Sequence, residues 1–251
     1  MPAEPSDSAV SKAPDILGSG RTRSAEALDV LVRGHVHLLA KAQARLYSNR
    51  LAIEIAVETA GASPVDPGLE VVVRRESSAK LIDIANTMRH AHGEDFLFLR
   101  GLERMRQCDP GHAYVARLPD GEIVASLFAH DRAARDRLEH ATPGIYAPIS
   151  ANEVLTEGVY CWPRFRRLRV PSHLLTTTLR LLADSGCARA LAVIETSNVA
   201  SLRAFARAGY VPTGVLRYGT YRLNRWRTTF VEDLPTAQRL WRDIVGSPHR
   251  C

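Results

Sequence analysis

Cysteine, lysine and long apolar runs are all scarce in this sequence. Four cysteines are spread over 251 residues, and none has the C-x-x-C spacing of a zinc or redox site, so neither a disulfide scaffold nor a metal cluster is expected. No apolar run approaches the roughly twenty residues that cross a membrane. The N-terminal MPAEPSDSAVSKAPD lacks the apolar segment of a secretory signal. These absences predict a cytoplasmic protein without a metal ion or a membrane partner.

The basic charge comes almost entirely from arginine. Three lysines stand against thirty arginines, and the formal net charge is +6. Arginine makes bidentate contacts with phosphate where it clusters. The charge is therefore compatible with anionic ligands, an acidic protein or nucleic acid, without choosing among them.

Composition divides the chain into four segments. Residues 1–23, rich in serine, proline and charge, predict a disordered tail. Residues 24–68 predict a helical extension, with apolar residues in steps of three and four as far as residue 60, and then a linker with proline and glycine. The helix either packs on the chain's own domain or pairs residues 24–60 with a second copy, giving a homodimer. Residues 69–232 predict the main domain, and 233–251 a short amphipathic tail.

The segment from Glu153 to Gly214 has the clearest pattern. Its β-branched and aromatic start, residues 153–162, predicts a strand. Helical spacing follows over 171–183, and the short apolar run 190–194 predicts a buried strand. Asn198 caps a second helix that leads into another strand. Parallel strands in such a unit are joined by right-handed crossovers.

The rest of the main domain alternates strands and helices. The predicted elements are strand 70–74, helices 78–90 and 94–107, hairpin strands 112–117 and 122–130, and the closing pair 216–221 and 225–231. Residues 131–152 are charged and then contain proline and glycine. They predict a long, ordered-to-mobile insertion of the kind that covers a substrate site.

One motif carries a family resemblance. The arginine-rich turn with its proline, the helix and strand after it, and the run N-x-x-S-L-R-x-F-x-x-x-G-Y from Asn198 to Tyr210 resemble the acyl-CoA-binding half of the GNAT superfamily of N-acyltransferases. The resemblance implies an α+β fold with a mixed, mostly antiparallel central sheet and helices on both faces. The N-terminal helical extension would be an addition to that fold.

The resemblance also implies a co-substrate: acetyl-CoA, another acyl-CoA or the thioester of an acyl carrier protein. The family's turn [RQ]-x-x-G-x-[GA] holds the pyrophosphate on backbone N–H groups at a helix N-terminus. Here residues 166–171 read RRLRVP, so both glycine positions are replaced and Pro171 has no N–H. Arginines could restore the lost contacts. The implied binding residues are Tyr160, Cys161, Arg166, Arg167, Leu168, Arg169, Val170, Ser172, Asn198, Ser201 and Phe205.

Acyl transfer to an amine needs a base, a donor for the oxyanion and a leaving group. In the family an acidic residue on the strand that starts at Glu153 often acts as the base, and we expect Glu157 first and Glu153 second. Strand alternation places both on the face of Cys161, a third candidate as nucleophile. A backbone N–H near Tyr160 would bind the oxyanion. The family's tyrosine acid is replaced by Phe205.

Three functions stay open at this stage. The first is an N-acyltransferase that acts on a small-molecule or peptide amine. The second is a catalytically inactive GNAT-fold module for binding or dimerisation, because Arg169, Pro171 and Phe205 replace expected residues. The third is an RNA-binding protein, in which the arginines of 164–169 act with the arginines and aromatic residues of 217–227.

Overall fold

The structure is a computed structural model, and the residues described are 47–77, 79–80, 111–141, 146, 149–221, 225–231 and 233–246. The chain divides into two units, Met1–Tyr47 and Ser48–Cys251. The account below concerns the second unit. The predicted tail 1–23, the extension 24–46 and nearly all of the predicted helices 78–90 and 94–107 lie outside the described residues.

Strands and helices alternate through the described residues. The strands are β1 (Tyr47–Glu58), β2 (Val72–Glu76), β3 (Gly111–Arg117), β4 (Ile123–His130), β5 (Glu153–Cys161), β6 (Arg189–Glu195), β7 (Val211–Tyr221) and β8 (Arg225–Val231). The helices are α1 (Arg132–Ala141), α2 (Val170–Asp184), α3 (Val199–Arg207) and α4 (Leu234–Val245). The strands form one sheet in the order β2-β3-β4-β5-β6-β1-β7-β8.

The sheet is mixed, mostly antiparallel and covered on both faces, as the sequence predicts. Strands β5 and β6 run parallel, while β6 pairs antiparallel with β1. On one face, here called the α2 face, fully buried residues of α2 such as Leu174 and Leu179 join the main apolar core. On the other, the α1 face, Leu138 packs with Leu155 and Leu191. The two cores hold the sheet between them and fix which side chains reach each face.

The prediction of a helix up to residue 60 is wrong for Tyr47–Glu58, because these residues form strand β1. Ile53 belongs to the core on the α2 face, whereas Ala56 packs on the α1 face. Because both faces of a central strand are buried, its apolar residues are nearly continuous and imitate a helical stripe. The folded domain therefore begins before residue 69, and Tyr47–Glu58 cannot be part of a coiled-coil seam.

The prediction of a long insertion over 131–152 is largely wrong for its first half, because those residues form the ordered helix α1. The side chain of Asp131 accepts a hydrogen bond from the N–H of Ala134 at 2.9 Å and so caps the helix. Ala134 and Leu138, one turn apart, are buried against the sheet. The many arginines around these two residues hid the helical pattern.

The remaining predictions are close to the observed elements. The first predicted strand begins two residues late, at Val72, and the hairpin of β3 and β4 is found where it was expected. The amphipathic tail is the helix α4, which Asp233 caps by accepting from the N–H of Thr236. Ala237 of α4 is fully buried in the main core. The tail is thus part of the domain.

Candidate active site

Strands β5 and β6 pair over a short stretch and then separate. Their parallel register covers three pairs, from Glu153 with Arg189 to Leu155 with Leu191. Strand β5 nevertheless continues to Cys161 and β6 to Glu195. The strands therefore leave a gap between them beyond Leu155, and backbone groups along the gap are not used by the sheet.

A bulge in β5 lies beside this gap. Phe128 of β4 is opposite Glu157, whereas Ser126 is opposite Tyr160, so β5 has one residue more than β4 over this stretch. Gly158 has φ +63°, and a Cβ atom there would lie 2.9 Å from Cδ2 of Phe128. Glycine is required at this position because any side chain would meet the aromatic ring.

The bulge changes which residues share a face. Glu157 lies on the α1 face with Leu155, while Cys161 packs in the core on the α2 face. The predicted common face for Glu157 and Cys161 is therefore wrong, because the extra residue shifts the alternation by one. Burial also raises the pKa of the Cys161 thiol to about 11. A thiol held protonated in this way does not suit a nucleophile.

Glu157 combines access to the gap with a charged neighbour. Its side chain is 13% exposed, and its Oε2 lies 3.7 Å from Nε2 of His130, which is completely buried at the end of β4. Both side chains are on the α1 face, since His130 is opposite Leu155 in the adjacent strand. The structure thus places the first candidate base beside the gap, with an imidazole at ion-pair distance.

Glu153, the second candidate, lies at the other end of β5. The N–H of Ser150 donates to its Oε2 at 2.8 Å, and Nη1 of Arg189 donates to its Oε1 at 3.2 Å. The hydrogen bond from Ser150 and the one from Arg189 lower the pKa of this carboxyl, although partial burial opposes them. Both carboxylate oxygens are occupied at the paired ends of the strands, so the geometry gives Glu153 a structural role.

A chain of hydroxyl groups spans the gap on the α2 face. Thr156 donates to the carbonyl of Leu191 at 2.9 Å, and its Oγ1 lies 3.1 Å from the hydroxyl of Tyr210. Burial raises the pKa of Tyr210 strongly. Phe205, where the family has tyrosine, is buried and packs edge-on against Tyr210 with ring centroids 4.8 Å apart. A hydroxyl group is therefore present near the gap, although Phe205 supplies none.

Backbone direction identifies a donor at the end of β5. Trp162 donates its N–H to Val124 of β4 at 3.1 Å. Successive residues of a strand direct their backbone groups to opposite edges, so the N–H and C=O of Cys161 face the gap. The carbonyl accepts from Nε of Arg166 at 3.3 Å. The N–H of Cys161 is consequently the best-placed donor for an oxyanion within the described residues.

The turn before α2 keeps a backbone shape that glycine adopts easily. Arg169, at the fourth position of the six, has φ +58°, and Arg167 has φ +68°. An L-residue in this region costs about 1–2 kcal/mol. In this turn, five N–H groups have no backbone acceptor within the described residues, those of Arg167, Leu168, Arg169, Val170 and Ser172. The turn therefore retains anion-binding donors despite losing both glycines.

The four arginines of the turn divide into two pairs. Arg164 forms an ion pair with Glu122 and lies 4.7 Å over the ring of Phe165. Arg166 reaches back to the end of β5, 6.0 Å over the ring of Tyr160. Arg167 and Arg169 are exposed and make no ion pair within the described residues. Arg167 and Arg169 are therefore arginines of this segment whose charge is not neutralised by an ion pair within the described residues.

The predicted linker holds the turn in place. The N–H of Gly68 donates to the carbonyl of Leu168 at 2.8 Å, and Nδ1 of His173 donates to the carbonyl of Val65, also at 2.8 Å. The hydroxyl of Ser172 donates to Ala204 of α3 at 3.2 Å. These contacts fix the N-terminus of α2 from both sides. The turn is thus part of the folded scaffold rather than a solvated loop.

The other predicted binding residues have mainly structural contacts. Asn198 caps α3 by accepting from the N–H of Ser201 at 3.2 Å. Tyr160 is half-buried and packs edge-on against Trp162, with ring centroids 5.1 Å apart. Val170 is fully buried in the main core. Of the arginines predicted for RNA binding, Arg217 is exposed on β7, and the side chains of 218–231 lie outside the described residues.

Sequence reasoning missed His130 and also Thr156, the hydrogen-bond partner of Tyr210. All eight residues of β4 are buried, and a histidine at the end of such a strand was the available signal.

A separate cleft of about 420 Å³ is lined by residues such as Glu58, Arg207 and Thr213. It includes Arg189, at the paired ends of β5 and β6, and so lies away from the gap.

Within the described residues, no group of three or more His, Cys, Asp or Glu side chains is close enough to hold a metal ion. No helix in the same part of the chain is both long and apolar enough to cross a membrane.

Comparison with known families gives one match. A sequence model described as "Acetyltransferase (GNAT) family" matches residues 81–210, which is 130 of the 251 residues. The match covers β3 to α3, and so includes the gap and the turn before α2. No curated protein sequence matches the chain significantly.

Solved structures resemble the chain at low identity. A GCN5-related glucosamine N-acetyltransferase region of a fungal multi-domain β-N-acetylglucosaminidase is 14% identical, with a TM-score of 0.51 over 74% of this chain and 22% of that one. A GCN5-related N-acetyltransferase from Kribbella flavida is 15% identical, with a TM-score of 0.46 over 76% of this chain and 65% of that one. The chain spans less than two thirds of the length of either structure. The first likeness supports the fold alone.

Proposed function

The chain belongs to the acetyltransferase (GNAT) family, and from this premise we propose that it transfers an acyl group from an acyl-CoA thioester to an amine by direct attack. Membership of the family supports acyl transfer in general; the thioester donor, the amine acceptor and a cytoplasmic location belong to the proposal. In the reaction a nitrogen–carbon bond forms and the carbon–sulfur bond breaks. The amine's proton is transferred to a base, and the thiolate leaves and takes a proton.

The observation that carries the proposal is the gap between β5 and β6, with Glu157 beside it on the α1 face. The gap supplies unused backbone groups, and the carboxylate supplies a base next to them. A positioned base contributes about 10²–10⁴-fold to the rate of such a reaction. Glu157 would accept the proton of the attacking amine, and the N–H of Cys161 would bind the oxyanion.

The donor's phosphates fit the turn before α2. The N–H groups of Leu168, Arg169 and Ser172, together with the positive end of the helix dipole, suit an anion. Arg167 and Arg169 add charge-assisted contacts in place of the glycine backbone. Pro171 removes one donor of the family's usual set, so we expect the arginines to carry a larger share of the binding.

The hydroxyl groups of Thr156 and Tyr210, on the α2 face, are the candidates for a hydrogen bond to the leaving sulfur. Tyr210 lies against Thr156, and Thr156 in turn donates to Leu191 across the strands. A thiolate of pKa near 8.5 leaves without full protonation. Because Thr156 donates to Leu191 and so accepts from Tyr210, we expect Tyr210 to redirect its hydroxyl proton to the sulfur in the complex, where Phe205 supplies none.

Titration calorimetry tests the donor. Acetyl-CoA, CoA and 4′-phosphopantetheine are titrated into the full chain, and the first two are expected to bind with micromolar to low millimolar affinity. Comparable binding of phosphopantetheine would favour a carrier-protein donor over CoA. No heat from any of the three would contradict the proposal and favour the second candidate, an inactive GNAT-fold binding module. That candidate draws on the replacements Arg169, Pro171 and Phe205.

A further inference from the structure

His130 is the last residue of β4 and has no exposed surface. It lies opposite Leu155 of β5, and Glu157 is the next residue of β5 on the same face of the sheet. Its Nε2 is 3.7 Å from Oε2 of Glu157. Burying an imidazole ring without a polar neighbour costs free energy. The carboxylate of Glu157 is a polar neighbour of this ring, so the contact between them supports a functional link.

The backbone around the pair is held rigidly. Helix α1 begins directly after His130, and Asp131 caps it. On the other strand, the bulge at Gly158 follows Glu157 at once, and the ring of Phe128 allows no side chain there. The relative position of the two side chains is therefore set by the sheet register and the bulge. Such rigid support is what a precisely placed catalytic group requires.

We propose that His130 is a positioning residue for Glu157. The imidazole donates its Nε2–H to Oε2 of Glu157 and so orients the carboxylate toward the amine in the gap. This assignment rests on the proposed acyl transfer. The distance of 3.7 Å exceeds that of a hydrogen bond, and contacts of this kind shorten when the substrate binds.

The proton balance leaves the histidine unchanged. The amine gives its proton to Oε1 of Glu157 as the nitrogen–carbon bond forms and the carbon–sulfur bond breaks. The carboxylic acid then returns the proton to water, and His130 keeps its own proton throughout. Other charged groups on α1 have partners of their own: Arg135 is 3.6 Å from Glu139 and donates to the carbonyl of Tyr146 at 3.2 Å.

The test compares four variants by steady-state kinetics with acetyl-CoA and a primary amine selected from a panel. His130→Leu, of similar volume, is expected to lower kcat by about 10- to 100-fold with an unchanged KM for acetyl-CoA, because Glu157 loses its orientation. His130→Gln keeps an N–H donor at the same reach and should retain kcat within a few-fold. His130→Leu combined with Glu157→Gln should be no slower than Glu157→Gln alone, because the two residues act as a unit.

Thr178→Val is the matched control, because it removes another buried polar group from the other side of the sheet. It should leave kcat unchanged. Thermal unfolding checks that each variant is folded. If His130→Leu does not fold, His130→Asn replaces it: its shorter amide cannot reach Oε2, so it should lose the activity that His130→Gln keeps.

The outcomes separate this role from the proposed function. A wild-type chain that neither binds acetyl-CoA nor acetylates any amine overturns the transferase proposal and the role of His130 with it. A wild-type chain that is active while His130→Leu or His130→Asn keeps full kcat overturns the role of His130 alone. Losses that multiply in the double variant also overturn it, since they would show independent effects.

Discussion

The two ends of β5 place a glutamate in opposite circumstances. Glu153 lies where β5 and β6 are paired, and Ser150 and Arg189 occupy its two oxygens. Glu157 lies beyond Leu155, the last residue of β5 that pairs with β6. It is beside the gap and next to His130. The residues are identical in chemistry and four positions apart. The end of strand pairing thus separates the glutamate with a structural role from the one that we propose as the base.

The largest expected effect is on turnover. Glu157→Gln should lower kcat by about 10²–10⁴-fold, because the amine loses its proton acceptor. Glu153→Gln should change kcat by at most a few-fold, because its carboxylate serves the strand ends. Steady-state kinetics with both variants measures the contrast. Equal losses in the two would remove the distinction between the two ends of β5.

Donor affinity should depend on the two exposed arginines of the turn. Replacing both Arg167 and Arg169 by alanine is expected to weaken acetyl-CoA binding by about 10- to 100-fold, since their solvent-exposed, charge-assisted contacts together contribute on the order of 1.5–3 kcal/mol. Arg164→Ala is the control, because Arg164 already pairs with Glu122. Calorimetry on the two variants decides; a stronger effect from Arg164→Ala would place the phosphates elsewhere.

The bulge itself can be tested through stability. Gly158→Ala should lower the free energy of unfolding by about 1–3 kcal/mol, because alanine is strained at φ +63° and its Cβ atom meets Phe128 at 2.9 Å. Gly121→Ala, also at positive φ but with nothing near its Cβ position, separates strain from the clash. Urea unfolding gives both values. An equal cost in the two would show that Phe128 does not constrain the bulge.

The smallest effect concerns Glu153 and pH. Its folded-state pKa is lowered from the usual 4.5, so its stabilisation is present above that pH and is lost as the pH falls through the folded-state value. Glu153→Gln should therefore cost about 1 kcal/mol of unfolding free energy near pH 7. The difference from the wild type should shrink as the pH falls below 4.5. A difference that grows on acidification would contradict this assignment.

Much of the fold follows from local patterns, and the errors have identifiable causes. Helix α2 was predicted from its apolar spacing, α3 from its cap Asn198, and the β3–β4 hairpin from the Asp-Gly pair at residues 120–121. Strand β1 was mistaken for a helix because it is buried on both faces. Its β-branched Ile53, Ile55 and Val57 alternate with Glu54 and Ala56, a strand signal that the predicted helical pattern over residues 24–60 concealed.

The candidate site was only partly predictable. Glu157 follows from the family's strand, and the positive-φ turn lies where the motif places it. The face of Cys161 could not be derived from alternation, because a bulge of one residue inverts every side chain beyond it. His130 could not be assigned either, since its partner is distant in sequence and depends on the β4–β5 register.

Hydrogen exchange of the backbone, with and without acetyl-CoA, tests the central claim most directly. The account predicts that the donor slows exchange at Cys161 and at Leu168 to Ser172, while the paired start of β5 around Glu153 stays unchanged. Protection confined to the cleft near Arg207 and Thr213, or no protection anywhere, would contradict it. The gap between the strands would then hold no thioester.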